Sequence, residues 1–289
     1  MSASTLGAST RLSARDRARR AARGGQNPRS VPGPLLIPAV IAIAFLLLPL
    51  AGLVVRAPWG RLASALSGAD AVQALVLSLW TATVSTGVCI VIGVPLAWVL
   101  ARTSFPGRRL LRALVTLPLV LPPVVGGVAL LLAFGRTGFI GRLLDSWFGL
   151  TIPFTPLAVV LAQTFVAMPF LVITVEGALR SADQGFEEAA ATLGASRMAV
   201  FRRVTVPLIA PSLAAGSVLC WARALGEFGA TITFAGSFPG QTETMPIAVY
   251  FALEDDPDAA IALSLVLLLV SVVVLASLRD RWLRGGAVQ

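Results

Sequence analysis

Lysine and histidine are both missing: all 23 basic residues are arginine. Without lysine no GxxxxGKS/T phosphate loop exists, so this chain does not hydrolyse ATP by that route. Without histidine there is no imidazole base, no histidine-dependent triad and no histidine zinc ligand. No cluster of acids, bases or metal ligands appears elsewhere, so catalytic residues and a metal site are not expected. Cysteine is scarce as well. Cys89 and Cys220 both fall in apolar runs, which points to small packing residues rather than a disulfide framework. Charge is the last shortage. Charged residues make up 13% and hydrophobic ones 56% of the chain, against about 25% and about 45–50% in a soluble domain. With a mean hydropathy of +0.85, this is an integral membrane protein.

Six apolar runs carry the excess, at roughly 35–55, 74–100, 113–134, 156–179, 208–234 and 259–278. About 20 residues at a 1.5 Å rise cross a hydrocarbon core. A lone segment in lipid satisfies its own backbone hydrogen bonds only as a helix. The expected fold is therefore all-α, with six transmembrane helices in one membrane domain over residues 34–284 and no internal repeat. Residues 1–33 are Ser- and Arg-rich and end in SVPGP. A presequence and a disordered cytoplasmic arm are the two readings. The long apolar run that follows, without a convincing cleavage site, favours the arm.

The net charge of +9 raises the question of nucleic acid, but the placement of arginine answers it differently. Eighteen arginines fall in the N-terminal arm, the second–third loop, the fourth–fifth loop and the C-terminal tail. Four fall in the alternate loops (Arg56, Arg61, Arg136, Arg142), and Arg223 lies inside a span. This positive-inside bias predicts N-in/C-in topology and no nucleic-acid partner. The loop 235–258 has no arginine and carries Glu243, Glu254, Asp255, Asp256 and Asp258. The preference for Arg over Lys, with abundant Ala, Gly, Val and Pro, points to a GC-rich bacterial genome.

Two spans are not expected to be straight. The third contains LPLVLPPVVGG, with Pro118, Pro122, Pro123, Gly126 and Gly127. Proline kinks a helix, and irregular backbone at membrane depth is tolerated where it is buried in protein or lines a cavity. The fifth contains RALGEFGAT, with Gly226 and Gly229 around Glu227 and Phe228. Close helix packing and a translocation-pathway wall are the two readings. Arg223 and Glu227 are four residues apart and expected on one helical face. They are either a mutually neutralising pair or, with Arg223 attracting an anion, part of a pathway.

Residues 187–207, EEAAATLGASRMAVFRRVTVP, interrupt the apolar pattern. Ser181 and Gln184 have capping-box spacing, which predicts a helix from Ala182. Gly194 suits a left-handed helix stop, Ser196 a second cap, and Pro207 the first turn of the next span. Met198, Phe201 and Val204 form an apolar edge. The local prediction is helix–turn–short helix over 181–207, either resting on lipid or docking a partner.

Glu188-Ala189-Ala190, three residues, Gly194, nine residues and Val204-Thr205-Val206-Pro207 resemble the EAA loop of bacterial ABC-importer permeases. The family pattern is EAA-x3-G-x9-I-x-L-P, and valine replaces Ile and Leu here. The resemblance implies a type I importer architecture in the bacterial plasma (inner) membrane. It implies that Glu187, Glu188, Ala189, Ala190, Gly194, Ala195, Ser196 and Pro207 seat in a cytoplasmic ABC ATPase dimer. That dimer would use ATP and Mg, and this chain would bind no cofactor.

RALGEFGATITFAGSFPGQTETMPIAVY, from Arg223 to Tyr250, is similar to the corresponding segment of molybdate transporter permeases. Sulfate permeases share GEFG and usually diverge after it. The resemblance covers about residues 74–278. It implies import of a tetrahedral dianion, molybdate or tungstate, with a second permease copy in a homodimer and an extracytoplasmic oxyanion-binding protein. The candidate translocation-pathway residues, read from the two irregular spans and the charged pair, are Pro122, Pro123, Gly126, Arg223, Gly226, Glu227, Phe228 and Gly229. The alternatives are a sulfate/thiosulfate ABC permease and, from a different class, a secondary anion transporter or channel.

Overall fold

The computed structural model describes residues 33–62 and 68–285. The Arg-rich arm expected over residues 1–33 therefore lies outside the described residues except for its last position. No strand occurs among the described residues. The helices are α1 (Gly33–Val55), α2 (Ala69–Arg102), α3 (Arg108–Val120), α4 (Pro123–Phe134), α5 (Phe139–Phe148), α6 (Pro156–Ser181), α7 (Gly185–Thr192), α8 (Arg197–Val200), α9 (Val206–Leu225), α10 (Gly229–Ala235), α11 (Met245–Asp255) and α12 (Pro257–Gly285). A π-turn, Phe201–Thr205, joins α8 to α9.

Among the described residues, five helical stretches are long and apolar enough to cross a membrane: Pro34–Val55, Ala69–Arg102, Pro156–Ser181, Arg197–Leu225 and Pro257–Val274. The predicted third span is the exception. It is broken into α3 and α4, bent by 118°, where the sequence led us to expect a kink. The reason is the proline pair. A residue before proline is driven out of the helical region, and here two successive residues precede one. Leu121 (ψ 129°) and Pro122 (ψ 131°) are both extended, and Pro123 opens the next helix, where its missing N–H costs nothing. Counting the bent pair as one span gives the predicted six.

Helix α1 forms one compact unit and residues 56–289 the other. Within α1, Pro38 and Pro49 are accommodated in a continuous helix of 23 residues.

In the second unit α6 is the hub. Its buried positions include Ala162, Ala167, Leu171, Val175 and Leu179, and it contributes to two of the three apolar clusters. One cluster joins α6 to α2 and α9 through Ala82, Cys89, Ala97, Leu100, Cys220 and Leu225. Another joins it to α4 and α10 through Leu130, Ala158, Ala230 and Phe234. The third packs α11 and α12 on α2 around Ala74, Met245 and Leu263. Both cysteines are buried and unbridged, in the packing role expected of them. Small side chains along α2 (Ala74, Ser78, Ala82, Ser85, Cys89, Gly93, Ala97) recur every three or four residues; Ser85, Cys89 and Gly93 meet α6 and let it approach closely.

Candidate functional site

The EAA stretch folds as a helical hairpin. Helix α6 runs two residues further than the predicted apolar run, to Ser181, whose hydroxyl donates back to Gly177 O and Ala178 O. The expected capping box is therefore absent. Asp183 Oδ1 instead accepts the Gly185 N–H at 2.9 Å, and α7 starts three residues later than predicted. Gly194 has φ +86°, the left-handed conformation predicted for it. Ser196 Oγ accepts the Ala199 N–H at 3.3 Å, so the second cap also forms.

The second half of the hairpin differs from the prediction of a separate short helix. From Arg197 the helix continues to Leu225. Pro207 falls in the first turn of α9, as predicted, but α9 follows α8 and the π-turn without a break. A proline ring crowds the carbonyl four residues back. The wider π-turn just before it takes up the strain, with the Val206 N–H reaching Phe201 O five residues back. The predicted Met198–Phe201–Val204 edge splits accordingly. Met198 is exposed, whereas Phe201 packs on the cluster around α2, α6 and α9.

The two glutamates of the motif point different ways. Glu188 is exposed, with Ala189, Gly194, Ala195, Ser196 and Pro207, and Ala190 is half-buried. Glu187 turns inward: its Oε1 accepts from Arg102 Nη2 at 3.1 Å and from Thr205 Oγ1 at 2.9 Å. It thus joins the end of α2, the first turn of α7 and the π-turn. The exposed surface also holds Phe186, Leu193 and Met198, the second of them 89% accessible. Phe186 and Leu193 were missed as site residues. An apolar residue beside the helix-stopping glycine was the available signal.

Deeper in the fold the two broken helices meet. A Cβ on Gly127 would lie 2.8 Å from Ala230 O and 2.7 Å from Thr233 Cβ, and one on Gly229 would lie 2.9 Å from Pro123 Cβ. Only hydrogen fits at either place, so α4 and α10 pack backbone to backbone. Pro123, Gly127 and Gly229 form this junction, whereas Gly126 faces the Phe165 ring of α6. Pro122, Pro123 and Gly226 are exposed. Phe228 leaves the junction and lies against Tyr250, with ring centroids 5.1 Å apart.

Arg223 and Glu227 do not share an uninterrupted helical face, because α9 ends at Leu225. They still pair across the break, Arg223 Nη2 to Glu227 Oε2 at 2.6 Å. The other carboxylate oxygen of Glu227 accepts the Ala230 N–H at 2.8 Å. This buried carboxylate closes the end of one helix onto the start of the next. Glu176, the remaining charge within a predicted span, accepts from Arg112 and Arg180 at 2.6 and 2.8 Å. Among the described residues no group of His, Cys, Asp and Glu is arranged to hold a metal ion.

The family described as the binding-protein-dependent transport system inner membrane component matches residues 93–285. The chain belongs to this family. It is a membrane permease subunit of the ABC transporter type, not a catalytic enzyme. Over 254 residues it is 50% identical to the molybdenum transport system permease protein ModB of Mycobacterium tuberculosis, covering 88% of this chain and 96% of that one. The ModB protein of Escherichia coli is 42% identical over 73% of this chain and 92% of its own. The sulfate transport system permease protein CysT of Salmonella typhimurium is 38% identical over 83% and 88%. The fold is that of a bacterial ABC transporter involved in import of alginate, with a TM-score of 0.71 at 20% identity over 86% of this chain and 94% of that one. It is also similar to the MetNI methionine ABC transporter, with a TM-score of 0.58 at 21% identity over 74% and 94%. The chain breaks at glycine and proline between α3 and α4 and between α9 and α10. Both breaks lie in the part of the chain that the family match covers.

Proposed function

We propose that this permease forms the membrane path of an ATP-driven importer for molybdate, or tungstate, and couples that path to a separate ATPase dimer. The observation that carries the coupling role is one rod. A continuous helix from Arg197 to Leu225 joins the exposed hairpin to the break at Gly226–Phe228. A push on the hairpin therefore acts directly on the α4–α10 junction. Glu188, Ala189, Ala190, Gly194, Ala195 and Ser196 would meet the ATPase; Glu187 and Pro207 would stiffen the hairpin behind them.

The cargo is read from the relatives named for molybdenum transport and from the Arg223–Tyr250 segment. In that segment Gly236 (φ +71°) and Gly240 (φ +72°) shape a compact turn. The Phe238 N–H is held by Thr242 Oγ1 at 3.0 Å, and Ser237 donates to Glu243 at 3.1 Å. The path itself would be walled by Pro122, Pro123, Gly126, Gly226, Phe228 and Gly229, with Arg223 and Glu227 at the break. It would be completed by a second copy of this chain, with both termini in the cytoplasm. An extracytoplasmic oxyanion-binding protein would deliver the cargo. An alginate transporter of the same fold has been seen in complex with a periplasmic protein, which supports that partner.

The test is reconstitution in proteoliposomes with the cognate ATPase and binding protein. Uptake of radiolabelled molybdate that needs ATP and is competed by tungstate but not by sulfate is the expected result. Competition by sulfate at equal concentration would move the assignment to the sulfate/thiosulfate class.

A further inference from the structure

We propose that the loop between α2 and α3 holds a tetrahedral phosphate-type oxyanion in a site separate from the α4–α10 junction. A cavity of about 390 Å³ opens there, lined by Ser104, Phe105, Arg108, Arg109, Arg112 and Arg180. Four arginines contribute to its lining, and one carboxylate, Glu176, is bonded to two of them.

The other charges show how much of this is already compensated. Arg108 is turned back onto Leu100 O and Ala101 O, the last carbonyls of α2. It serves as a C-terminal cap, where a cation is favoured. Arg112 and Arg180 share the same Glu176 oxygen, so that one anion neutralises only one of them. Arg109 is exposed and forms no ion pair among the described residues. The local backbone adds to the imbalance. Helix α3 begins at Arg108, its N-cap Gly107 has no side-chain acceptor, and its first turn has no acid. Arginines on the positive end of a helix are repelled by it, and an anion seated among them relieves both.

Planar guanidiniums recognise phosphate oxygens two at a time. The cavity exceeds a bare phosphate, and Phe105 offers an apolar wall beside the charges. The ligand is therefore a phosphate, either as the headgroup of an anionic lipid or as a free ion.

The full-length permease, co-purified with its ATPase, is placed in nanodiscs containing phosphatidylglycerol and phosphatidylcholine, and bound lipid is counted by native mass spectrometry. The delipidated complex is titrated in parallel with inorganic phosphate, with thermal unfolding as the readout. Arg109→Gln and Arg109→Glu are the variants, because Arg112, Arg180 and Arg108 hold structural partners. Loss of one charge-assisted contact weakens binding about tenfold, and charge reversal weakens it further. Phosphatidylglycerol retained over phosphatidylcholine in the wild type and lost in the variants identifies a lipid headgroup. Stabilisation by millimolar phosphate that both variants lose, without lipid selectivity, identifies a free anion. If neither probe distinguishes the wild type from the two variants, the site does not exist.

Discussion

Arg102 Nη2 donates to Glu187 Oε1 at 3.1 Å, and the same oxygen takes the Thr205 hydroxyl at 2.9 Å. One carboxylate thus fastens the hairpin to α2 and to the root of α9. Its neighbour Glu188 is exposed, so two adjacent glutamates have separable effects. Glu187→Ala strands a buried arginine whose side chain is 7% accessible, at a cost of about 3–5 kcal/mol. It is expected to lower the thermal unfolding temperature of the purified permease. Glu188→Ala is expected to leave that temperature unchanged and to weaken ATPase binding in a pull-down. Equal destabilisation by both would contradict the division of roles.

Gly194→Asp tests the hairpin from its tip. Nothing lies within 4 Å of a Cβ built there, so the only local penalty is the left-handed backbone. Aspartate tolerates that conformation better than most residues, at roughly 1 kcal/mol. The variant is expected to insert and assemble while ATP-dependent uptake stops, because a new charge enters the surface that meets the ATPase. Normal uptake with normal expression would sink the coupling assignment.

Gly127 and Gly226 make a contrasting pair. A methyl on Gly127 meets the Ala230 carbonyl at 2.8 Å, whereas on Gly226 the nearest atom is 3.6 Å away. Overpacking of this kind costs about 1–3 kcal/mol. Gly127→Ala is expected to destabilise the permease and cut uptake, and Gly226→Ala to leave its stability unchanged. Thermal unfolding and initial uptake rates measure both.

The element types and the special backbone positions were legible because each had a local cause. The apolar runs, the αL stop at Gly194 and the irregularity at Pro122-Pro123 and at Gly226–Gly229 all follow from residue chemistry within a few positions. What was not legible depended on partners far away in sequence. Nothing near Glu187 announces that Arg102, on another helix, would turn it inward, nor does Glu176 reveal Arg112. Helices α5 and α11 lie in stretches that read as connecting loops. They are too short for a span, and α11 is fixed by a distant contact, Ser78 Oγ accepting the Met245 N–H at 2.7 Å. The size of the bend at the proline pair was missed for a simpler reason. One proline bends a helix, but two in succession hold two residues extended and end it.

Topology has a direct test. The arginine asymmetry predicts that residues 236–258 face outside and residues 181–203 face the cytoplasm. The native Cys89 and Cys220 are buried, so background labelling is expected to be low. Single cysteines placed in the first segment are expected to react in intact cells with a membrane-impermeant maleimide, and those in the second only after permeabilisation. The reverse pattern would overturn both the orientation and the ATPase contact.

The Arg223–Glu227 pair separates structural from cargo-binding roles. Glu227 is 1% accessible and Arg223 29%, so the two single substitutions are not equivalent. Arg223→Gln leaves a sealed carboxylate without its cation, which typically costs about 3–5 kcal/mol. Glu227→Gln leaves a cation with some access to solvent, and its amide oxygen still accepts the Ala230 N–H that starts α10. Arg223→Gln is therefore expected to be the worse of the two for assembly, judged by yield of the monodisperse complex. Replacing both removes the buried charge altogether, and such double neutralisation is often close to neutral. Because both oxygens of Glu227 are already engaged in shaping the break, the double variant is expected to regain assembly and oxyanion uptake together. If assembly returns and uptake does not, with ATPase activity intact, the Arg223 charge acts on the passing anion and the pair is part of the transport chemistry.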